Sequence, residues 1–290
     1  MKRLGYLLIV ILMCAGCGPS QKKATDKPIV TVTLEPLRYF AEALGAGYFD
    51  FQSMVPKGNS PETYDPTPQQ LVALGNSQAY FKIGYIGFEQ SWMKKLIDNT
   101  PNMKVFDTSV GVNLIHEKAH AHGDHIHEGG VEPHIWNSTA NARLISQNIC
   151  RALSDLAPAH KNIFEHRLDS MNQVISSTDS VIRQYLVKAD STFLIYHPAL
   201  SYFARDYGLQ QVSIEEGGKE PSPAQIQGLI KECKETHTRV IFVQQEFDIR
   251  NAKLIADEIG VRIVTINPLS YDWNEEMIQV ARALSHQNHD

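Results

Sequence analysis

The stretch 158–188, PAHKNIFEHRLDSMNQVISSTDSVIRQYLVK, decides the fold. Ile163, Phe164, Leu168, Met171, Val174, Ile175, Val181, Ile182, Tyr185 and Leu186 recur at helical spacing, with no strand candidate among them. Pro158 suits a first helical turn, where its missing N–H leaves nothing unpaired. At 1.5 Å per residue such a helix runs roughly 45 Å, long enough to traverse a small protein and join two lobes.

On both sides of it, short β-rich runs alternate with helical patterns. Strands are expected at 29–34, 51–55, 79–83 and 104–106 before it, with helices at 37–44, 68–75, 88–97 and 139–156. After it, strands at 193–196, 211–214, 240–243 and 262–266 alternate with helices at 199–207, 223–237, 250–259 and 274–284. Such alternation signals βαβ units on parallel sheets. The expected class is therefore α/β, with four βα units, one long helix, and four more units. The expected limits are a first lobe at 29–157 containing a His-rich loop at 116–130, a bridging helix at 158–189, and a second lobe at 190–290. The halves share a plan rather than a sequence repeat.

The 290 residues are 43% hydrophobic and 20% charged, which excludes wholesale disorder, collagen-like and coiled-coil architectures. With 27 basic against 32 acidic residues the formal charge is −5, so the basic footprint of a nucleic-acid partner is missing. The start of the chain reads as a targeting segment. Met1-Lys2-Arg3 precedes a mostly apolar run at 4–13 that is too short to span a bilayer. Cys14-Ala15-Gly16-Cys17 follows, and small residues directly before a cysteine resemble the bacterial lipoprotein cleavage box. Residues 1–16 would be removed, Cys17 lipidated, and 17–28 left as a polar tether. The expected location is the cell envelope, held to the membrane by acyl chains. Cys150 and Cys233 sit in helical patterns of opposite halves and are expected as two buried free thiols.

In open α/β sheets ligands bind beyond the carboxyl ends of the strands. Four positions stand there. Glu62 lies in a stiff loop, PKGNSPETYDPTP at 56–68, after the second strand. His134 lies in Glu132-Pro133-His134-Ile135-Trp136, after the fourth. His197 ends the fifth strand in Tyr196-His197-Pro198, and Asn267 ends the eighth in Asn267-Pro268-Leu269. Alone, each has a bland reading: a loop carboxylate, two core histidines, a turn-capping amide. Together, two neutral imidazoles with carboxylate or amide oxygen form a ligand set for a divalent transition ion. The chain also has 12 His, of which His116, His120, His122, His125 and His127 crowd one loop. That loop reads as an auxiliary metal-binding segment, with Gly123, Gly129 and Gly130 lending it flexibility.

The stretches 58–68, 133–136 and 196–208 (YHPALSYFARDYG) resemble the zinc and manganese solute-binding proteins of bacterial ABC uptake systems, and most nearly the high-affinity zinc-uptake binding proteins. The resemblance covers essentially the whole mature chain. It implies two four-stranded α/β lobes joined by one long helix, with the metal in the cleft between them. It implies Zn(II) as the bound solute, with Mn(II) or Fe(II) as alternatives, a His-rich loop that captures or senses metal, and a monomer serving an ABC permease and its ATPase. His134 and His197 match the family motifs directly. Glu62 stands where the family has His, and Asn267 where it has an acidic residue; water, Asp272 or Glu246 are the other candidates for that fourth place. An enzyme is not expected, since HExxH, a nucleophile elbow and a Ser-His-Asp order are all missing from the sequence. A zinc hydrolase using Glu62 as base, and an adhesin sharing the fold, are the readings from other classes.

Overall fold

The computed structural model describes residues 27–116, 120–122, 125–127, 130–215 and 218–285, with backbone alone for 120–122 and 125–127. The leader, Cys17, most of the tether, and the side chains of His120, His122, His125 and His127 lie outside the described residues.

The first half builds a parallel sheet from β1 (Ile29–Val32), β2 (Asp50–Ser53), β3 (Ser77–Lys82) and β4 (Lys104–Asp107), in the order β2-β1-β3-β4. Its helices are α1 (Glu35–Gly45), α2 (Pro68–Leu74) and α3 (Gly87–Asn99). α1 opens with Pro36 and buries Leu37, Phe40, Ala41 and Leu44 as one stripe, the spacing of a helix with a single core face. Within the His-rich loop the backbone forms a short antiparallel ladder, β5 (His120–His122) with β6 (His125–His127), where the sequence suggested only a loop. Its register sets His120 opposite His127 and His122 opposite His125. α4 (Thr139–Leu156) follows, capped by the Ser138 side chain, which accepts from the Asn141 N–H.

The expected long helix is present as a 3-10 turn, Pro158–His160, leading into the 26-residue α5 (Lys161–Leu186). The turn places Pro158 outside the α-helical ladder, where its lack of a donor matters least. Phe164, Met171, Ile175, Thr178 and Ile182 form the buried stripe of α5.

The second half repeats the topology. β7 (Thr192–Ile195), β8 (Gln210–Ser213), β9 (Val240–Gln244) and β10 (Arg262–Ile266) are parallel in the order β10-β9-β7-β8. Numbered from its own first strand, each sheet therefore reads 2-1-3-4, with the switch in strand order beside β1 and β7. The helices are α6 (Ser201–Tyr207), α7 (Pro223–Glu235), α8 (Arg250–Ile259) and α9 (Trp273–Leu284). α6 starts later than the pattern suggested, because Pro198 follows His197 and a tight turn from the Ala199 N–H to the His197 carbonyl comes first. It ends at Gly208 with φ +69°, a left-handed stop that glycine adopts without strain. Cys150 and Cys233 are free and buried, as expected.

The halves are not independent bodies. One apolar cluster runs from Val30, Phe40 and Leu153 through Phe164 and Ile175 of α5 to Phe193, Phe242 and Met277. α5 packs on α1, α4 and α9. Tyr271 donates to Glu42 (2.6 Å), Tyr39 donates to Asn274 (3.1 Å), and Arg38 lies over the Tyr271 ring, tying α1 to the start of α9. Trp273 is fully buried against Phe40 and donates its indole N–H to the Trp136 carbonyl (2.8 Å). Trp273→Ala should therefore cost about 3–5 kcal/mol, and urea unfolding should stay a single cooperative transition. Two resolved transitions would contradict a shared core.

Candidate metal centre

Five strand exits meet at one cavity of about 30 Å³, lined by Ser60, Pro61, Glu62, His134, His197, Ala199, Gln244, Glu246, Phe247, Pro268 and Leu269. That volume is an order of magnitude below the ~300–1,000 Å³ of sites for organic ligands. It admits an ion or a water molecule or two.

The two histidines face each other with ring centroids 5.1 Å apart. Each has its Nδ1 side on a buried carboxylate: His134 on Glu132, and His197 on Glu215 at 3.3 Å. With Nδ1–H given to a carboxylate, Nε2 is the lone pair left for a metal, and the acid partner raises its basicity. Glu132 is 3% exposed and also accepts from the His134 N–H (3.0 Å) and the Ser201 hydroxyl (3.0 Å). Burial pushes its carboxyl up, but the charge and hydrogen bonds of His134, with Ser201, outweigh that and hold it below the ordinary carboxylate range. The ring of His197 stacks on Phe247 at 5.3 Å. Gln244 closes around the same residue, donating to the His197 carbonyl (2.7 Å) and accepting its N–H (3.3 Å).

Although His134 lies in the first half of the sequence, its segment is fastened to the second half. Tyr202 donates to the Glu132 carbonyl (2.8 Å), Asn137 to that of Ala199 (2.9 Å), and Trp136 to that of Pro268 (2.7 Å). Ser138 donates to Asp206. Both imidazoles thus ride on one body.

Glu62 comes from the opposite side. Its loop is held as its prolines suggested: Gln70 closes a capping box with Thr67, donates to the Met54 carbonyl (2.8 Å) and accepts from Tyr64 (2.6 Å). The start of α3 grips the loop tip, with Gly87 N–H on Glu62 Oε2 (3.1 Å) and Phe88 N–H on the Pro61 carbonyl (2.9 Å). A Cβ on Gly87 would stand 2.4 Å from the Glu62 carbonyl oxygen, so only glycine permits this approach. Glu62 Oε1 and Glu246 Oε2 are buried and have no hydrogen-bond partner among the described residues. A buried carboxylate oxygen without a donor is costly unless a cation meets it.

Asn267 is not among the cavity-lining residues. Its Oδ1 accepts from the Leu269 N–H (3.2 Å) and its own N–H goes to Glu276 (2.7 Å), so the amide caps the turn while Pro268 and Leu269 face the cavity. Asp272 is exposed and also absent from the lining. Glu132 and Glu215 escaped the sequence reading. Glu132 sits two residues before a candidate ligand. Glu215 follows from register, since β7 pairs Ile195 with Ser213 and each partner lies two residues further on. His116, the one His-rich-loop histidine with a described side chain, is exposed. Among the described residues no three His, Cys, Asp or Glu side chains are gathered closely enough to share an ion, so Glu62, His134 and His197 line the cavity without converging in it.

The family described as zinc-uptake complex component A, periplasmic (ZnuA), matches residues 30–285. The zinc-binding lipoprotein AdcA of Streptococcus pneumoniae is 25% identical over 285 residues, covering 93% of this chain and 56% of its own. This chain thus spans little more than half of that relative. The manganese ABC transporter substrate-binding lipoprotein PsaA of Streptococcus anginosus is 25% identical over 279 residues, covering 91% of this chain and 88% of its own. A crystal structure of ZnuA matches with a TM-score of 0.82 and 32% identity, over 89% of this chain and 97% of that one. On fold and sequence alike, the chain belongs to the periplasmic component A family of zinc-uptake complexes.

Proposed function

We propose that this chain is the extracytoplasmic solute-binding component of an ABC-type metal uptake system, capturing Zn(II) and handing it to a membrane permease driven by an ATPase. It works as a monomer by binding rather than catalysis, and a lipid on Cys17 keeps it at the envelope. The observation that carries this reading is a pair of carboxylate-backed imidazoles facing an ion-sized cavity that Glu62 also lines. The names of AdcA and PsaA agree with a metal cargo and differ on which metal. Glu62 in place of an imidazole favours Mn(II) or Fe(II) as the second reading, since oxygen donors suit harder ions. The loop of His116, His120, His122, His125 and His127 serves as an auxiliary capture segment.

The steps follow from what each side chain holds. Glu132 and Glu215 keep the Nδ1 protons, so His134 and His197 offer Nε2 to the ion. Glu62 closes from the other side, and the ion replaces the missing partner of its buried Oε1. Protons compete with the ion for the same ring nitrogens, so acid displaces the metal. Glu132, held below the ordinary carboxylate range, stays ionised there and pairs with the His134 imidazolium, which steadies the metal-free form.

His134→Ala with His197→Ala should abolish stoichiometric zinc binding in calorimetric titration. Tight binding by the double variant would remove the site assignment. Loading the metal-free protein with zinc and manganese in competition decides the cargo, and preferential manganese uptake would favour the second reading. Glu132→Gln should weaken zinc roughly 10–100-fold while leaving the circular dichroism unchanged. For the parent protein, affinity should fall on acidification, because protons compete with the ion for the imidazole nitrogens, and a profile flat from about pH 7.5 to about pH 5.5 would count against imidazole ligation.

A further inference from the structure

We infer that Glu246 is the fourth metal ligand of this chain and fills the place for which the family pattern points to position 267. This rests on the metal-binding reading above and adds a residue to it.

Five side chains have a buried oxygen with no hydrogen-bond partner among the described residues, and only two of them, Glu62 and Glu246, are carboxylates. Both line the cavity that His134 and His197 line. The remaining three, on Ser53, Ser146 and Asn172, are absent from that lining. The coincidence has a simple account: the donor that each carboxylate oxygen lacks is a cation between them.

Topology explains why position 246 can reach where 267 does not. β9 is the direct neighbour of β7, with Leu194 paired to Ile241 and Ile195 to Phe242, whereas β10 lies one strand further out. The exits of β7 and β9 flank the switch in strand order, where a crevice opens. Glu246 is also bracketed there: Gln244, two residues before it, clasps the His197 backbone, and Phe247, one residue after it, stacks on the His197 ring. Asn267 has its amide oxygen committed to Leu269 N–H and presents the following two residues to the cavity instead.

The test titrates the full chain, Glu246→Gln, Glu246→Asp and Asn267→Ala with Zn(II) against a chromophoric chelator, and repeats each with Co(II) to read its ligand-field absorption. Glu246→Gln should weaken Zn(II) about 100-fold and change the Co(II) spectrum, and Glu246→Asp, which keeps the charge, should recover part of the affinity. Asn267→Ala should bind within about twofold of the parent, a difference below ~0.5 kcal/mol, and keep its spectrum. A Glu246→Gln protein that binds and absorbs like the parent would overturn the inference while leaving the uptake reading intact, as would a large loss confined to Asn267→Ala. A parent chain that binds neither ion would overturn both. If Glu246→Gln has a lowered melting temperature, the Co(II) spectrum of Glu246→Asp decides, and a parent-like spectrum there with full affinity for Asn267→Ala would support the ligand.

Discussion

Where two protons sit governs this molecule. An imidazole binds a metal only when neutral, and only through the nitrogen that its surroundings leave bare. In His134 and His197 that choice is made by Glu132 and Glu215, which are 3% and 7% exposed. Carboxylates so deeply buried need compensation, since an uncompensated buried charge costs several kcal/mol. Glu132 finds it in the ring and main chain of His134 and in Ser201. The Ser201 bond joins that carboxylate to the second half, and the segment before α4 is fastened there also at Tyr202, Ala199, Asp206 and Pro268.

A division of labour follows. The two imidazoles are held together, 5.1 Å between rings, while Glu62 lines the cavity from the first half. Any motion of one half against the other would change the distance from Glu62 to the histidine pair rather than the distance between the histidines. The shared core, α5, and the bonds from α1 to Tyr271 and Asn274 limit that motion to small shifts. Among the described residues Glu62, His134 and His197 line the cavity without converging in it. A wide hinge would have to break Tyr271 from Glu42 and Tyr39 from Asn274.

Much of this was legible in the sequence, for physical reasons that also mark the limit. All eight strands of the two sheets announce themselves as short β-rich runs between helical patterns, and the long helix by its 3.6-residue period, because burial selects apolar residues along a covered strand and along one stripe of a helix. Glu62, His134 and His197 were legible because strand exits are where open sheets bind. The carboxylate behind His197 was not, since its neighbourhood depends on the β7–β8 register and not on sequence distance. Asn267 illustrates the opposite failure. Its type and position are those of a ligand, but an amide two residues before a free N–H can satisfy itself locally, and here it does.

The exchange of residues around the cavity also bears on which ion is held. The family resemblance implies His at 62 and an acid at 267, and this chain carries Glu and Asn. One imidazole has become a carboxylate and one carboxylate an amide, so these two positions keep the same count of negative charges and lose a nitrogen donor. A further carboxylate from β9 would make the set two nitrogens and two acids, harder than three imidazoles and one acid. Affinity alone would still rank zinc above manganese or iron for such a set. Preference for the harder ions must therefore come from shape, through a cavity that accepts more oxygen contacts than a four-coordinate ion uses. Here the walls resist that expansion: Phe247, stacked on His197, lines the cavity together with Pro268 and Leu269 and leaves about 30 Å³ of space. A small, apolar-walled cavity with two fixed imidazoles suits low coordination numbers, and on that ground zinc keeps its claim even though its usual third histidine is gone.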